Sequence, residues 1–97
     1  MQVAQKIKAI RKAEGLTQAK FCEISGLALS TLKNYEGGHA EPGLGVVLKI
    51  TNTPQLQKYT LWLMTDKTAP QAGQIAPAIA HIGPDSIESD QSEKQIG

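Results

Sequence analysis

The chain has 97 residues, of which 40% are hydrophobic and 20% charged, and a formal net charge of +1 at pH 7. A chain of this length buries enough apolar surface for at most one small domain plus a tail. Its longest apolar runs are far shorter than the roughly 20 residues that span a bilayer. Its one cysteine, Cys22, can form neither an internal disulfide nor a zinc site by itself. We therefore expect a small cytoplasmic protein without a membrane span.

The net charge conceals an asymmetry between the two ends of the chain. Residues 1–65 contain eight Lys and Arg against four Asp and Glu, a net charge of +4, whereas residues 66–97 contain two against five, a net charge of −3. Phosphate contacts made by Lys and Arg supply the sequence-independent part of nucleic-acid affinity. The basic first part suits a polyanionic partner, although an ordinary solvated surface would also carry this charge.

The first three predicted helices are short and closely spaced. Apolar residues recur at spacings of three and four over residues 2–14, which predicts an amphipathic helix that ends before Gly15. Thr17 is a good N-cap for a second helix, which ends at Gly26. A third helix then runs to Glu36, where two glycines stop it.

Two more helices are predicted before the chain changes composition. The fourth helix has an apolar stripe formed by Leu44, Val47, Leu48 and Ile50. A fifth helix runs from Pro54 to about Met64, since proline at the first helical position loses no needed N–H bond. Its apolar residues cover more than one face, so some of them should meet a partner. The predicted folded domain is residues 1–65, followed by a flexible acidic tail or linker over residues 66–97.

The most specific feature is the order of short helix, tight turn at Gly26 and second short helix, which is the spacing that a DNA-reading helix pair requires. An α-helix fits the major groove of B-DNA, but a neighbouring helix must hold it outside the body of its domain. A residue free to adopt a positive φ permits the sharp turn between the two. The packing positions of this motif are Phe21, Leu27, Leu32 and Tyr35, with Cys22 as the small residue where the helices cross.

This segment resembles the lambda-repressor and Cro-like family of helix-turn-helix proteins, also called the XRE family. The resemblance covers roughly residues 4–53, and a weaker similarity to phage-type repressors runs from Tyr59 to Gln74. It implies an all-α, five-helix DNA-binding domain whose recognition helix begins near Ala28. It also implies two-fold dimers on near-palindromic operators. The residues that carry it are Ile7, Ile10, Arg11, Leu16 to Cys22, Ser25 to Leu27, Ser30 to Leu32 and Tyr35 to Gly38.

The resemblance also implies roles for individual residues. Gln18 would cap the second helix and touch a phosphate or the first base, and Thr31 would lie near the DNA backbone. Arg11 and Glu36 match a structural pair that ties the first helix to the end of the recognition helix. Leu29 stands where relatives often carry a long polar residue, so a contact with a thymine methyl group is expected there. The residues expected to face base edges are Leu29, Ser30, Lys33 and Asn34.

The fifth helix is the predicted dimer interface. Its aromatic residues are more often core or interface than platforms for nucleic-acid bases, and they lie far in sequence from the helix-turn-helix. The residues assigned to this interface are Tyr59, Trp62, Leu63 and Met64.

The sequence therefore predicts a dimeric regulator of phage or prophage type that binds a double-stranded DNA operator. We expect no cofactor, no metal and no catalytic residue, because neither a nucleophile-base pair nor a set of metal ligands is visible. Activation through a surface presented to RNA polymerase remains open. Two alternatives are a protein-interaction module of antitoxin or scaffold type that uses the fifth helix and the tail, and the DNA-binding part of a longer self-cleaving repressor.

Overall fold

The computed structural model describes residues 1–78, which form five short α-helices joined by turns. The predicted all-α, five-helix fold is confirmed. No helix in residues 1–78 has both the length and the apolar character that a bilayer crossing requires. The helices are α1 (Val3–Ala13), α2 (Gln18–Ser25), α3 (Leu29–Glu36), α4 (Leu44–Thr51) and α5 (Thr60–Thr65), and 3₁₀ segments at Pro54–Tyr59 and Pro70–Ala72 precede and follow α5.

The hydrophobic core is built around the apolar face of α1. Ile7 and Ile10 are fully buried, and α1 packs against both α3 and α5. Burial of large side chains such as these contributes about 1.5–3 kcal/mol each, and the contacts of α1 link α3 to α5. The same cluster contains Phe21, Cys22, Leu27, Leu32, Val47, Ile50, Leu56, Tyr59, Trp62 and Leu63.

The predicted fifth helix is divided into two parts. It begins at Pro54, as predicted, but it is a 3₁₀ helix as far as Tyr59, and α5 follows. The spacing of its buried residues fits this conformation, because Leu56 and Tyr59 are three positions apart. Side chains three residues apart lie on one face of a 3₁₀ helix, so this conformation directs both of them into the core.

Three of the four residues predicted for the dimer interface instead lie in the core of the monomer. Tyr59, Trp62 and Leu63 expose only 4%, 7% and 1% of their surface, so they leave almost nothing for a partner to contact. Of the four, Met64 alone lies on the surface, with 57% exposed. The assignment is therefore corrected for the three buried residues. Apolar residues cover several faces of this segment because α1 and other parts of the same chain surround it.

The predicted flexible tail starts with a packed segment, residues 66–78. The side-chain oxygen of Gln74 accepts the backbone N–H of Leu61 at 2.9 Å, and Pro77 is fully buried. This segment therefore covers the start of α5. The rest of the predicted tail, residues 79–97, lies outside the described residues.

Lys6 is buried where α1 meets the end of α5. Its Nζ donates to the carbonyl oxygens of Trp62 at 3.1 Å and Leu63 at 3.2 Å, and it forms an ion pair of 2.5 Å with Asp66. The last carbonyls of a helix have no partner within that helix, so the ammonium group caps α5. The hydrogen bond from Lys6 holds the pKa of Asp66 below its ordinary value.

Candidate nucleic-acid interface

Helix α2 begins and ends where the sequence predicts. The hydroxyl of Thr17 accepts the backbone N–H of Lys20 at 3.0 Å, which satisfies one of the N–H groups that a first helical turn leaves without a partner. Gly26 ends the helix with a φ of 81°, which glycine adopts without the steric cost of a Cβ. The predicted N-cap and turn are confirmed, and the capping side chain is that of Thr17, not of Gln18.

The turn at Gly26 places α3 against α2 and α1 through one apolar side. The hydroxyl of Ser25 donates to the carbonyl oxygen of Phe21 at 2.7 Å, so the polar group at the buried end of α2 has a partner. The packing residues that the motif predicts are all buried, namely Phe21, Cys22, Leu27, Leu32 and Tyr35.

The opposite side of α3 is open to solvent. Thr31 is half-buried beside it, and Leu29 is 40% exposed. Hydroxyl and amide groups can hydrogen-bond to base edges, an ammonium group can contact guanine or phosphate, and an apolar side chain can pack on a thymine methyl. This side of α3 therefore has the chemistry needed to read duplex DNA. We call its four exposed residues the recognition face: Leu29, Ser30, Lys33 and Asn34.

A hydrogen-bonded network joins the end of α3 to α1 and α2. The guanidinium of Arg11 donates to both carboxylate oxygens of Glu36, at 2.7 and 2.9 Å, and to the carbonyl oxygen of Leu16 at 2.8 Å. The amide of Gln18 donates to Glu36 as well, at 3.0 Å. A bidentate arginine-carboxylate pair fixes orientation as well as distance, so this network holds α3 in place. The bond between Gln18 and Glu36 was not foreseen from the sequence.

The first turn of α3 is open at its amino end. Its N-cap is Ala28, and no side chain in residues 1–78 caps it. Free N–H groups at the positive end of a helix dipole attract phosphate. The start of α3 is therefore suited to lie close to a DNA backbone.

The lysines of the first two helices differ in their availability. Lys12 and Lys20 are exposed, and the pair that Lys20 makes with Glu23, at 3.4 Å, is of the weak surface type. Lys6 is removed from any nucleic-acid surface by its burial under α5. The sequence carried a signal for this, because Lys6 lies four residues before Ile10 and so shares a face with it on a helix.

Cys22 serves packing. Burial raises the pKa of its thiol, which disfavours the thiolate that a nucleophile or a metal ligand requires. Residues 1–78 contain no cluster of three or more His, Cys, Asp and Glu that could hold a metal ion.

Comparison with a known family matches this geometry. A family model described as helix-turn-helix covers residues 7–57, which begin in α1, include α2 to α4 and end within the 3₁₀ segment before α5. The chain belongs to the XRE-type helix-turn-helix family. The matched region thus contains the N-cap, the turn and the whole recognition face.

One relative extends the similarity beyond the helix-turn-helix region. Repressor protein C of Escherichia phage P2 is 41% identical over 95 residues, which cover 98% of this chain and 96% of the relative. The similarity therefore includes α5 and the packed segment 66–78. The predicted membership of the lambda-repressor and Cro-like helix-turn-helix family, with phage-repressor character, is confirmed.

Proposed function

We propose that this protein is a sequence-specific DNA-binding transcription regulator, a phage-type repressor that binds a near-palindromic operator as a dimer. The observation that carries the proposal is the recognition face of α3. It presents polar, cationic and apolar groups on a helix whose other side is packed. The relative from phage P2 is named a repressor, which favours repression through occupation of a promoter. The cytoplasm, where such a promoter lies, is its place of action.

The exposed residues of α3 divide between reading bases and contacting the backbone. Ser30 and Asn34 hydrogen-bond to base edges, and Leu29 packs against a thymine methyl group. Lys33 contacts guanine or a phosphate, and the half-buried Thr31 lies nearer the DNA backbone. Base contacts of this kind choose the site, while phosphate contacts set the position and orientation of the protein.

Gln18 acts together with the open start of α3 as a phosphate contact. Glu36 accepts one N–H of the Gln18 amide, and the second N–H and the amide oxygen remain able to bind other groups. Arg11 pairs with Glu36, so the carboxylate does not present an uncompensated negative charge to a phosphate. Glu36 thus orients Gln18 without repelling the DNA.

A dimer places two recognition faces in successive major grooves, about 34–36 Å apart. Near-palindromic operators follow from this arrangement, since a two-fold axis in the protein matches one in the DNA. The same dimer would act as an activator if it presented a surface to RNA polymerase. Transcription from a promoter that carries the binding site of the protein, measured with and without the protein, shows whether the protein represses or activates.

Selection of duplexes from a random pool by the full chain tests the proposal. The selected duplex is then titrated at two salt concentrations beside a scrambled duplex of equal length. We expect a near-palindrome that binds far more tightly than the scrambled duplex, and affinity for both that falls steeply with salt because phosphate contacts release counterions. A folded protein that enriches no sequence would refute the proposal and favour the protein-interaction alternative.

A further inference from the structure

Helix α4 carries an apolar surface that nothing in residues 1–78 covers. The sequence predicts a single apolar stripe, but the structure divides it, with Val47 and Ile50 buried and Leu44 and Leu48 exposed by 66% and 49%. Residues four apart are neighbours on a helix, so the two leucines form one patch. Among the large hydrophobic side chains of residues 1–78, Leu44 is the most exposed.

Two uncharged residues, Gly45 and Asn52, lie beside these leucines. Gly45 is exposed on the same side of α4, and a Cβ added there would meet nothing within 4 Å. Asn52 is exposed at the end of the helix. We call this surface, Leu44, Gly45, Leu48 and Asn52, the α4 face. An uncharged face with a glycine next to its leucines allows the backbone of another helix to approach closely.

Two charges of opposite sign flank the α4 face, one before the helix and one in its last turn. Glu41 precedes the helix and Lys49 lies in its last turn, and both are exposed. Neither makes an ion pair within the described part of the chain. If two copies of α4 pack antiparallel around a two-fold axis, Glu41 of each copy lies close to Lys49 of the other. The helix dipoles also oppose each other favourably in this arrangement.

We propose that the α4 face is the surface through which two copies of this protein associate, with α4 of one copy antiparallel to α4 of the other. The inference rests on the proposed function, because a near-palindromic operator calls for a dimer. It replaces the interface predicted on the fifth helix, whose residues Tyr59, Trp62 and Leu63 are buried in the monomer. A two-fold interface uses the same patch on both subunits, so the leucines of the two α4 faces would meet at the axis while Glu41 and Lys49 pair across it.

The small size of the patch indicates how strongly the copies associate. Stable interfaces bury about 800 Å² on each partner, and two leucines with their small neighbours supply only part of such an area. The dimer is therefore reversible in solution. Binding of both subunits to one duplex strengthens it, because the DNA holds the two copies at high effective concentration.

Sedimentation equilibrium of the full chain tests the proposal directly. The double variant Leu44→Ser with Leu48→Ser is compared with wild type and with Met64→Ser, a matched control that removes an equally exposed apolar side chain from α5. We expect wild type to dimerise, the double variant to have a dimer dissociation constant at least ten times higher, and the control to match wild type. A monomeric wild type, an unaffected double variant, or a loss confined to Met64→Ser would each overturn the proposal.

Charge reversal gives a second measurement that does not depend on the leucines. Glu41→Lys and Lys49→Glu should each weaken the dimer, and the two together should restore it, because the exchanged charges again face each other across the axis. Far-ultraviolet circular dichroism verifies that every variant is folded. Additive weakening in the double exchange, without restoration, would contradict antiparallel pairing of α4.

Titration of the selected duplex and of its half-site separates this proposal from the proposed function. The Leu44→Ser, Leu48→Ser variant should bind the half-site as wild type does and lose only the tighter binding to the full site. If wild type dimerises through α4 but selects no duplex, the proposed function fails while the interface stands. If the variant binds the full site as tightly as wild type, the interface is refuted while DNA recognition stands.

Discussion

Helices α3 and α5 differ in how the rest of the chain surrounds them, although the sequence assigned partner contacts to both. On α3 the polar and cationic residues of the recognition face stay exposed, because α1 and α2 cover only the opposite side. On α5, Trp62 and Leu63 are buried beneath α1, the preceding 3₁₀ segment and the packed segment 66–78. Apolar residues on several faces of a short helix are therefore not by themselves evidence of a partner. The rest of the same chain can cover all of these faces.

Truncation of a core residue of α5 should have the largest effect. Leu63 is fully buried, so Leu63→Ala should lower the free energy of unfolding by about 2–5 kcal/mol through lost burial and the cavity left behind. Urea unfolding followed by the fluorescence of Trp62, the single tryptophan of the chain, measures it. The matched change one residue later, Met64→Ala, should remain within about 0.5 kcal/mol. A Leu63→Ala variant with normal stability but altered self-association would return α5 to the interface.

The corresponding change on α3 should act on DNA binding and leave the fold unaltered. Asn34→Ala and Ser30→Ala should each reduce affinity for the selected duplex by about 1–3 kcal/mol, the discrimination of a good base contact. Fluorescence anisotropy with labelled DNA measures it. Affinity for scrambled DNA should be unchanged. Gln57→Ala removes an exposed amide outside α2 and α3, and this variant should bind as wild type. Equal losses on both duplexes would identify these residues as backbone contacts.

The first three helices could be predicted because their signals are local. Thr17 caps a helix that starts at the next residue, and Gly26 adopts its positive φ within the turn that it forms. The apolar spacing of α1 shows its buried face directly. The recognition face followed from the resemblance to the family, which supplied the roles that spacing alone does not give.

The surroundings of α5 could not be predicted, because its partners lie far along the chain. Lys6 binds carbonyl oxygens 56 and 57 residues away, and Gln74 binds a backbone N–H on a segment that its composition made look like a linker. These are side-chain to backbone bonds, and hydrophobic periodicity carries no information about them. Periodicity tells which residues are apolar, but only the tertiary fold decides what covers them.

The packed segment 66–78 contributes to the surroundings of α5 through one side chain, that of Gln74. Gln74 accepts the N–H of Leu61 and donates to the carbonyl oxygen of Gln57 at 3.0 Å. Gln74→Ala should lower the free energy of unfolding by about 1–2 kcal/mol, because the half-buried N–H loses its acceptor. Gln71→Ala, at an exposed position in the preceding turn, is the control in the same urea experiment. Equal stability of the two variants would mean that the segment does not support α5.

The α5 side of the molecule should also be more sensitive to acid than the α3 side. The reason is Glu14 at the end of α1, which bonds to the 3₁₀ segment that precedes α5. Its carboxylate accepts the hydroxyl of Tyr59 at 2.6 Å, Lys58 Nζ at 2.9 Å and the amide of Gln55 at 2.9 Å. Burial alone would raise the pKa of Glu14, but these three donors outweigh it and hold the pKa below its ordinary 4.5. Burial and the bond to Glu14 raise the pKa of Tyr59, so the phenol remains a donor.

A carboxyl whose pKa is lowered by folding stabilises the folded state above its unfolded pKa and loses that contribution as the pH falls through the folded pKa. Wild type should therefore lose stability as the pH falls below about 4.5. Glu14→Gln should be less stable at neutral pH and lose less on acidification, because the group that takes up the proton is gone. Urea unfolding at several pH values, followed by Trp62 fluorescence, measures both. Parallel losses in the two proteins would place the acid sensitivity elsewhere, with Asp66 beside Lys6 as the next carboxylate to replace.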